Sequence, residues 1–168
     1  MMSNFLYFFI SYAVAFIALG LIGYWYLWPA LRQRDPKSAL TPLLLYACLR
    51  VNGLMFLMPG LVAPSLPARF ALPTAWGDVL AAVLALVALA ALRSGMGFAL
   101  VLVWVFNIEG ILDLAYANLA TFTAHVDPAQ LGASYYLAVL NVPAMIVVHI
   151  IIFAYLLGSA HRFERAPS

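Results

Sequence analysis

Seven polar side chains stand inside stretches of sequence that are otherwise apolar: Arg50, Asp78, Asn107, Glu109, Asp113, Asn141 and His149. Ionisable groups are costly to keep in apolar surroundings, so each needs a partner, a proton or water, and each marks a candidate functional site. Glu109 and Asp113 are four residues apart, which places them on one helical face with Phe106 and Tyr116, while Asn107, Gly110, Leu114 and Asn118 form a stripe on the other side. Arg50 keeps its charge, so it requires a counter-ion or acceptors, and its side chain is long enough to reach toward Glu109. Three acids against this one arginine leave an excess of negative charge, and at least one acid must be protonated or open to water. The chemistry available to such a set is proton exchange, cation binding, or recognition of a polar headgroup. In that scheme Arg50 anchors an acceptor group, Glu109 and Asp113 supply charge or exchange a proton, and Asn107 and Asn141 orient the ligand.

The remaining polar residues ask for less. His149 follows Pro143, whose missing N–H frees a carbonyl one turn earlier, and a kink beside Asn141 opens room for a cavity. A lone histidine on an apolar helix otherwise reads as a hydrogen-bonded packing residue. Glu109, Asp113 and His149 are suitable ligand types for a metal, but their depths do not match, so no metal is expected. His125 and Asp127, ahead of Pro128, read as a cap or turn. His161 sits beside Arg162 at the end of the last apolar stretch, and Cys48, the one cysteine, reads as core packing. The sequence has no Ser-His-Asp order, glycine-rich phosphate loop, His-Glu-x-x-His or Cys-x-x-Cys, which leaves hydrolase, NTPase and zinc-protease readings without support and no cofactor in evidence.

The elements that must position these groups are long and apolar. The chain is 67% hydrophobic and 8% charged over 168 residues, with a mean hydropathy of +1.03. Soluble domains carry about 25% charged residues. We therefore expect an all-α polytopic membrane bundle in a single domain spanning residues 1–168, with the lipid bilayer as its surroundings. A bilayer core of about 30 Å requires about 20 apolar residues of helix. Five segments fit: 5–28, 42–62, 73–92, 96–118 and 134–157. The break at Arg93-Ser-Gly-Met-Gly97 is so short that spans three and four must form a tight antiparallel hairpin. Gly77, Ala81 and Ala85 give span three a smooth packing face. Span four, polar on two faces, is expected at the heart of the bundle.

Charge fixes an expected orientation. Arg32, Arg34, Lys37, Arg93, Arg162 and Arg165 fall on one side and Arg69 on the other, which puts the N-terminus outside and the C-terminus inside. Tyr24, Trp25, Tyr26 and Trp28 then form an aromatic belt at the inner interface. A net charge of +2 distributed over short loops excludes nucleic-acid binding.

Two stretches resemble the opening helices of DoxX-like small bacterial membrane proteins. These are Leu49-Arg-Val-Asn-Gly-Leu-Met-Phe-Leu-Met-Pro-Gly-Leu61 and the helix from Gly77-Asp78 through its alanine and leucine run to Arg93. The resemblance implies a bacterial inner-membrane bundle with an accessory role around redox or quinone chemistry, although an additional N-terminal span departs from the usual four-helix pattern. Sterol isomerase-like bundles, which place acids among helices to move a proton, are an analogy at the level of fold. The expected function is binding of a small amphipathic or lipid-like molecule, or of a partner subunit's helix, in a buried polar pocket in the inner membrane, with a homodimer also possible. The rivals are a proton-coupled transporter, for which five spans cannot form equal inverted repeats without dimerising, an intramembrane acid-base enzyme with a raised Glu109 pKa, and a purely structural subunit.

Overall fold

A computed structural model describes residues 2–164 of the backbone and the side chains of residues 3–158; the His161 and Arg162 side chains and Arg165 lie outside the described residues. Six α-helices are present among the described residues: α1 (Met2–Ile22), α2 (Trp28–Leu31), α3 (Pro36–Ala47), α4 (Ala68–Arg93), α5 (Ala99–Thr123) and α6 (Val142–Glu164). They build five apolar rods long enough to cross a membrane: Ser3–Leu31, Pro36–Leu57, Ala68–Arg93, Ala99–Thr123 and Leu137–Gly158. The count matches the sequence expectation, and the second rod begins and ends earlier than expected.

The reason lies in local geometry. Asp35 caps α3 by accepting from the Ser38 N–H at 3.0 Å, with Pro36 in the first turn, so the helix starts at this cap rather than at Pro42. After Ala47 the chain tightens into a 3-10 helix, Cys48–Leu57. Such runs rarely exceed three or four residues. Here it spans ten, and its three-residue repeat aligns Arg50, Gly53 and Phe56, all buried, along one edge against α4. An α-helix would fan the same three residues over about a third of its circumference.

α4 and α5 form the expected antiparallel hairpin, turning through Ser94–Phe98 with Gly95 at a φ of +70°. Lys37 donates to the last carbonyl of α4, Arg93 O, at 2.8 Å, and so ties the start of α3 to the turn. Ala81, Ala85 and Ala88 are fully buried, in keeping with the smooth face read in the sequence. At the opposite end of the bundle, Ala133 N–H donates to Leu61 O at 2.8 Å and Ala63 N–H to Gln130 O at 2.9 Å, which stitches two loops together. His125 takes a φ of +54° just past α5, and Asp127 with Gln130 forms a capping box, so both are turn residues as expected.

Two hydrophobic clusters fill the core. One contains Leu40, Leu44, Ala88, Phe106, Val148 and Ile152; the other contains Phe56, Phe70, Ala75, Ala120, Ala124 and Leu131. Along the second, third and fourth rods the buried charges fall between the two. The fourth rod is not the centre of the bundle: one face of α5, through Val105, Ile108, Leu112 and Leu119, is exposed. The fifth rod is the most enclosed, with 50% of its apolar window buried against 33% for the fourth. Two polar stripes on α5 therefore reflect neighbours on one side and its flank, not a helix surrounded on all sides.

Candidate functional site

Among the described residues Arg50 is the largest fully buried side chain. Its Nε donates to Asp78 Oδ1 at 2.8 Å and its Nη2 donates to Asp113 Oδ2. Its Nη1 donates to the Gly110 carbonyl at 3.0 Å and meets His149 Nε2 at 3.4 Å. Four of the five guanidinium N–H groups are thus engaged. The reach toward Glu109 expected from length and depth is not made. The 3-10 geometry turns Arg50 toward Asp78 on α4, and the hairpin brings Asp113, rather than Glu109, to the same point.

His149 closes the network from the fifth rod. Its Nδ1 donates to Asn107 Oδ1 at 2.7 Å, and the Asn107 amide donates back to the His149 carbonyl at 3.2 Å. With Nδ1 as the donor, Nε2 offers its lone pair to Arg50, so this hydrogen bonding calls for the neutral ring. His149 is thus hydrogen-bonded within the bundle, to Asn107 and, at 3.4 Å, to Arg50.

Three glycines make the cluster sterically possible. A Cβ at Gly53 would collide with the Asp78 carboxyl, one at Gly77 with the Asp113 carboxyl, and one at Gly110 with the His149 ring and, at 2.9 Å, with Arg50 Nη1. Each charged or ring side chain therefore lies against bare backbone of a neighbouring helix. In sequence Gly77 reads as a packing position only. The signal for the pairing was present in Gly53 and Gly110 but is meaningful only once the helices are docked.

Beside the cluster lies a cavity of about 50 Å³ whose polar lining is Tyr12, Thr74, Asp78, Asp113, Asn118, Thr121 and Asn141. A water occupies about 10–15 Å³ on this measure, so the space suits three or four water molecules or one small polar group. Both aspartates keep some side-chain exposure, 15% for Asp78 and 11% for Asp113. Thr74 is 4% exposed, and its hydroxyl has no hydrogen-bond partner. Sequence reasoning missed it, although it stands one helical turn before Asp78 on the same face. The π-turn Leu137–Asn141 ahead of Pro143 widens the fifth rod here, and Leu137, Ala138 and Asn141 line the cavity, which is the opening expected from the proline.

Two expected members stand apart. Asn141 accepts from the Tyr46 hydroxyl at 3.1 Å on the far wall of the cavity, away from Arg50. Glu109 is half-buried on the flank of α5, one turn before Asp113, and its Oε2 is buried without a partner. Cys48 donates to the carbonyl of Leu44, one turn earlier in α3, at 3.1 Å. Among the described residues no group of three His, Cys, Asp or Glu side chains is arranged to hold a metal ion.

No curated protein and no solved structure matches the chain. The family model described as "Domain of unknown function (DUF8737)" matches residues 7–157, and with nearly its whole length covered the chain belongs to that family.

Proposed function

We propose that this is an inner-membrane protein, N-terminus outside and C-terminus inside, that binds a small amphipathic or lipid-like molecule from within the bilayer. The observation that carries the reading is a juxtaposition. Apolar grooves of about 350 Å³ and 470 Å³ run beside the first rod and share Leu19, Tyr46 and Ala144. Asn141, hydrogen-bonded to Tyr46, lines the larger groove and also the polar cavity above Asp78 and Asp113. A molecule with an apolar tail and a small polar head fits both compartments at once, and groove volumes of this order are those of small-molecule sites. The cavity alone is too small for a whole lipid. Asn107 and His149 position Arg50, and Arg50 positions the two aspartates. The stretches with DoxX-like resemblance contribute Arg50 and Asp78, which agrees with a ligand-handling accessory role.

Native mass spectrometry of the purified chain in a nonionic detergent tests the reading. The parent is expected to retain or take up an amphiphile, and Ala144→Trp, which fills both grooves, is expected to lose it with an unchanged melting temperature. Equal occupancy in the two proteins would remove the grooves from the site. Reporter fusions at each terminus test the orientation, and an outward-facing C-terminus would overturn it.

A second reading, proton exchange, is favoured by one feature alone: the buried Glu109 Oε2 without a partner. In liposomes loaded with a pH-sensitive dye, that reading expects proton flux in the parent and none in Glu109→Gln.

A further inference from the structure

The inference deepens the proposed function and rests on it: we infer that the polar head recognised in the cavity is a cation of the organic ammonium class, not an acid. The argument starts from what the cluster leaves unused. Among the described residues Arg50 is the only arginine or lysine that is buried, and four of its five N–H groups already point at Asp78, Asp113, Gly110 and His149. It has little left to offer an incoming anion. Each aspartate, by contrast, spends one oxygen on Arg50, and both residues remain open to the cavity. Two carboxylates on one guanidinium leave one negative charge in excess, and the His149 ring contributes none on its hydrogen-bond pattern.

The neutral groups around the cavity agree. The Thr74 hydroxyl is buried, unpartnered and part of the cavity wall, so it can accept from a ligand N–H without giving up another bond. Four aromatic rings complete the wall: Phe8 stacks on Tyr12 with centroids 5.9 Å apart, and Phe56 meets Phe70 edge to face at 5.5 Å. Carboxylates and aromatic rings in one wall are the surroundings that stabilise an alkylammonium, through charge-assisted hydrogen bonds and cation–π attraction. An ammonium head is close to a water molecule in size, and the cavity of about 50 Å³ admits it.

The test uses the full chain in a nonionic maltoside with three probes at matched ionic strength: decylammonium, decanoate and methylammonium, read by calorimetric titration. Decylammonium is expected to bind saturably and decanoate not at all. Thr74→Val, which leaves every Arg50 contact in place, is expected to weaken decylammonium about tenfold or more, since it removes one hydrogen bond to a charged group. Asp113→Asn should do at least as much where it folds. Saturable decanoate binding in place of decylammonium would overturn the charge assignment while leaving the amphiphile reading intact. Methylammonium binding as tightly as decylammonium would support the cation site and overturn the amphiphile reading. Unchanged affinity in folded Thr74→Val, or a sodium-specific heat with no alkylammonium binding, would also overturn the inference.

Discussion

The four rods from Pro36 to Gly158 and the first rod, Ser3–Leu31, are all apolar enough to cross a membrane but are held in different ways. The four share buried polar groups: Arg50, Asp78, Asp113, Asn107 and His149 connect all of them through hydrogen bonds that close on a single guanidinium. The first rod touches mainly the fifth, and most of its apolar side chains are exposed. Its polar fastenings gather at one end: Asn4 donates to Asp127 at 3.1 Å, the Tyr135 hydroxyl donates to Ser11 at 3.1 Å, and Tyr12 donates to Asn118 at 3.4 Å. The comparison teaches that hydrophobicity places helices in a bilayer, whereas polar contacts decide which helix sits beside which, because lipid is as apolar as leucine and offers no preference between partners.

The largest way to break this contrast is Arg50→Ala. It leaves Asp78 and Asp113 facing each other in a buried site, and we expect a loss of about 3–5 kcal/mol in detergent unfolding. Adding Asp78→Asn and Asp113→Asn should recover part of it, because the uncompensated charges go. Glu109→Gln, by contrast, should couple to Arg50→Ala more weakly than Asp113→Asn does, since Glu109 makes no hydrogen bond to Arg50. Strict additivity between Arg50→Ala and Asp113→Asn would refute the pairing.

The same substitution made in the two regions sharpens the contrast. A Cβ at Gly77 overlaps the Asp113 carboxyl, whereas one at Gly20 on α1 has nothing within 4 Å. Gly77→Ala is expected to destabilise by about 1–3 kcal/mol through overpacking. Gly20→Ala is expected to stabilise by up to about 1 kcal/mol through helix propensity. Equal effects would mean that the first rod is packed as tightly as the others.

Smaller effects report on the fastenings themselves. Tyr135→Phe removes the hydroxyl bonded to Ser11 and, at 3.4 Å, to the Tyr7 carbonyl. A cost of about 0.5–1.5 kcal/mol is expected, seen as faster hydrogen exchange in α1 with no change in α4 or α5. The smallest effect is on pH. The Ala129 N–H, then the Asn4 side chain, hold the Asp127 carboxyl below its ordinary value near 3.8. A lowered folded-state pKa means that its contribution is complete above that value and lost as pH falls through the lower, folded one. Acidification below about pH 4 should therefore loosen the first turns of α1, and Asn4→Ala should abolish that pH dependence.

Much of this was legible from residue types. Apolar runs gave five rods because a helix must satisfy its backbone internally wherever water is absent. The short Arg93–Gly97 break gave the hairpin, Asp127 and Pro128 gave a cap, and Pro143 gave the opening near Asn141. All seven polar residues were visible as expensive departures from apolarity. Five of them, Arg50, Asp78, Asn107, Asp113 and His149, do meet in one network.

Sequence could not decide which acid receives Arg50. The length of the Arg50 side chain offered Glu109 as the partner, but Cys48–Leu57 is a 3-10 helix, and its tighter winding brings Arg50 into line with Gly53 and Phe56. Nor could it reveal that Gly53, Gly77 and Gly110 are the seats of the charged side chains, because a glycine's missing Cβ matters only against the neighbour that fills the space. The sequence by itself determined how many apolar rods there are and which polar groups had to find partners, since those follow from the cost of burying charge and bare backbone. The assignment of partners, the cavity beside Thr74 and the peripheral place of the first rod were decided by tertiary structure, because they depend on rotations and contacts between helices that no spacing along one chain encodes.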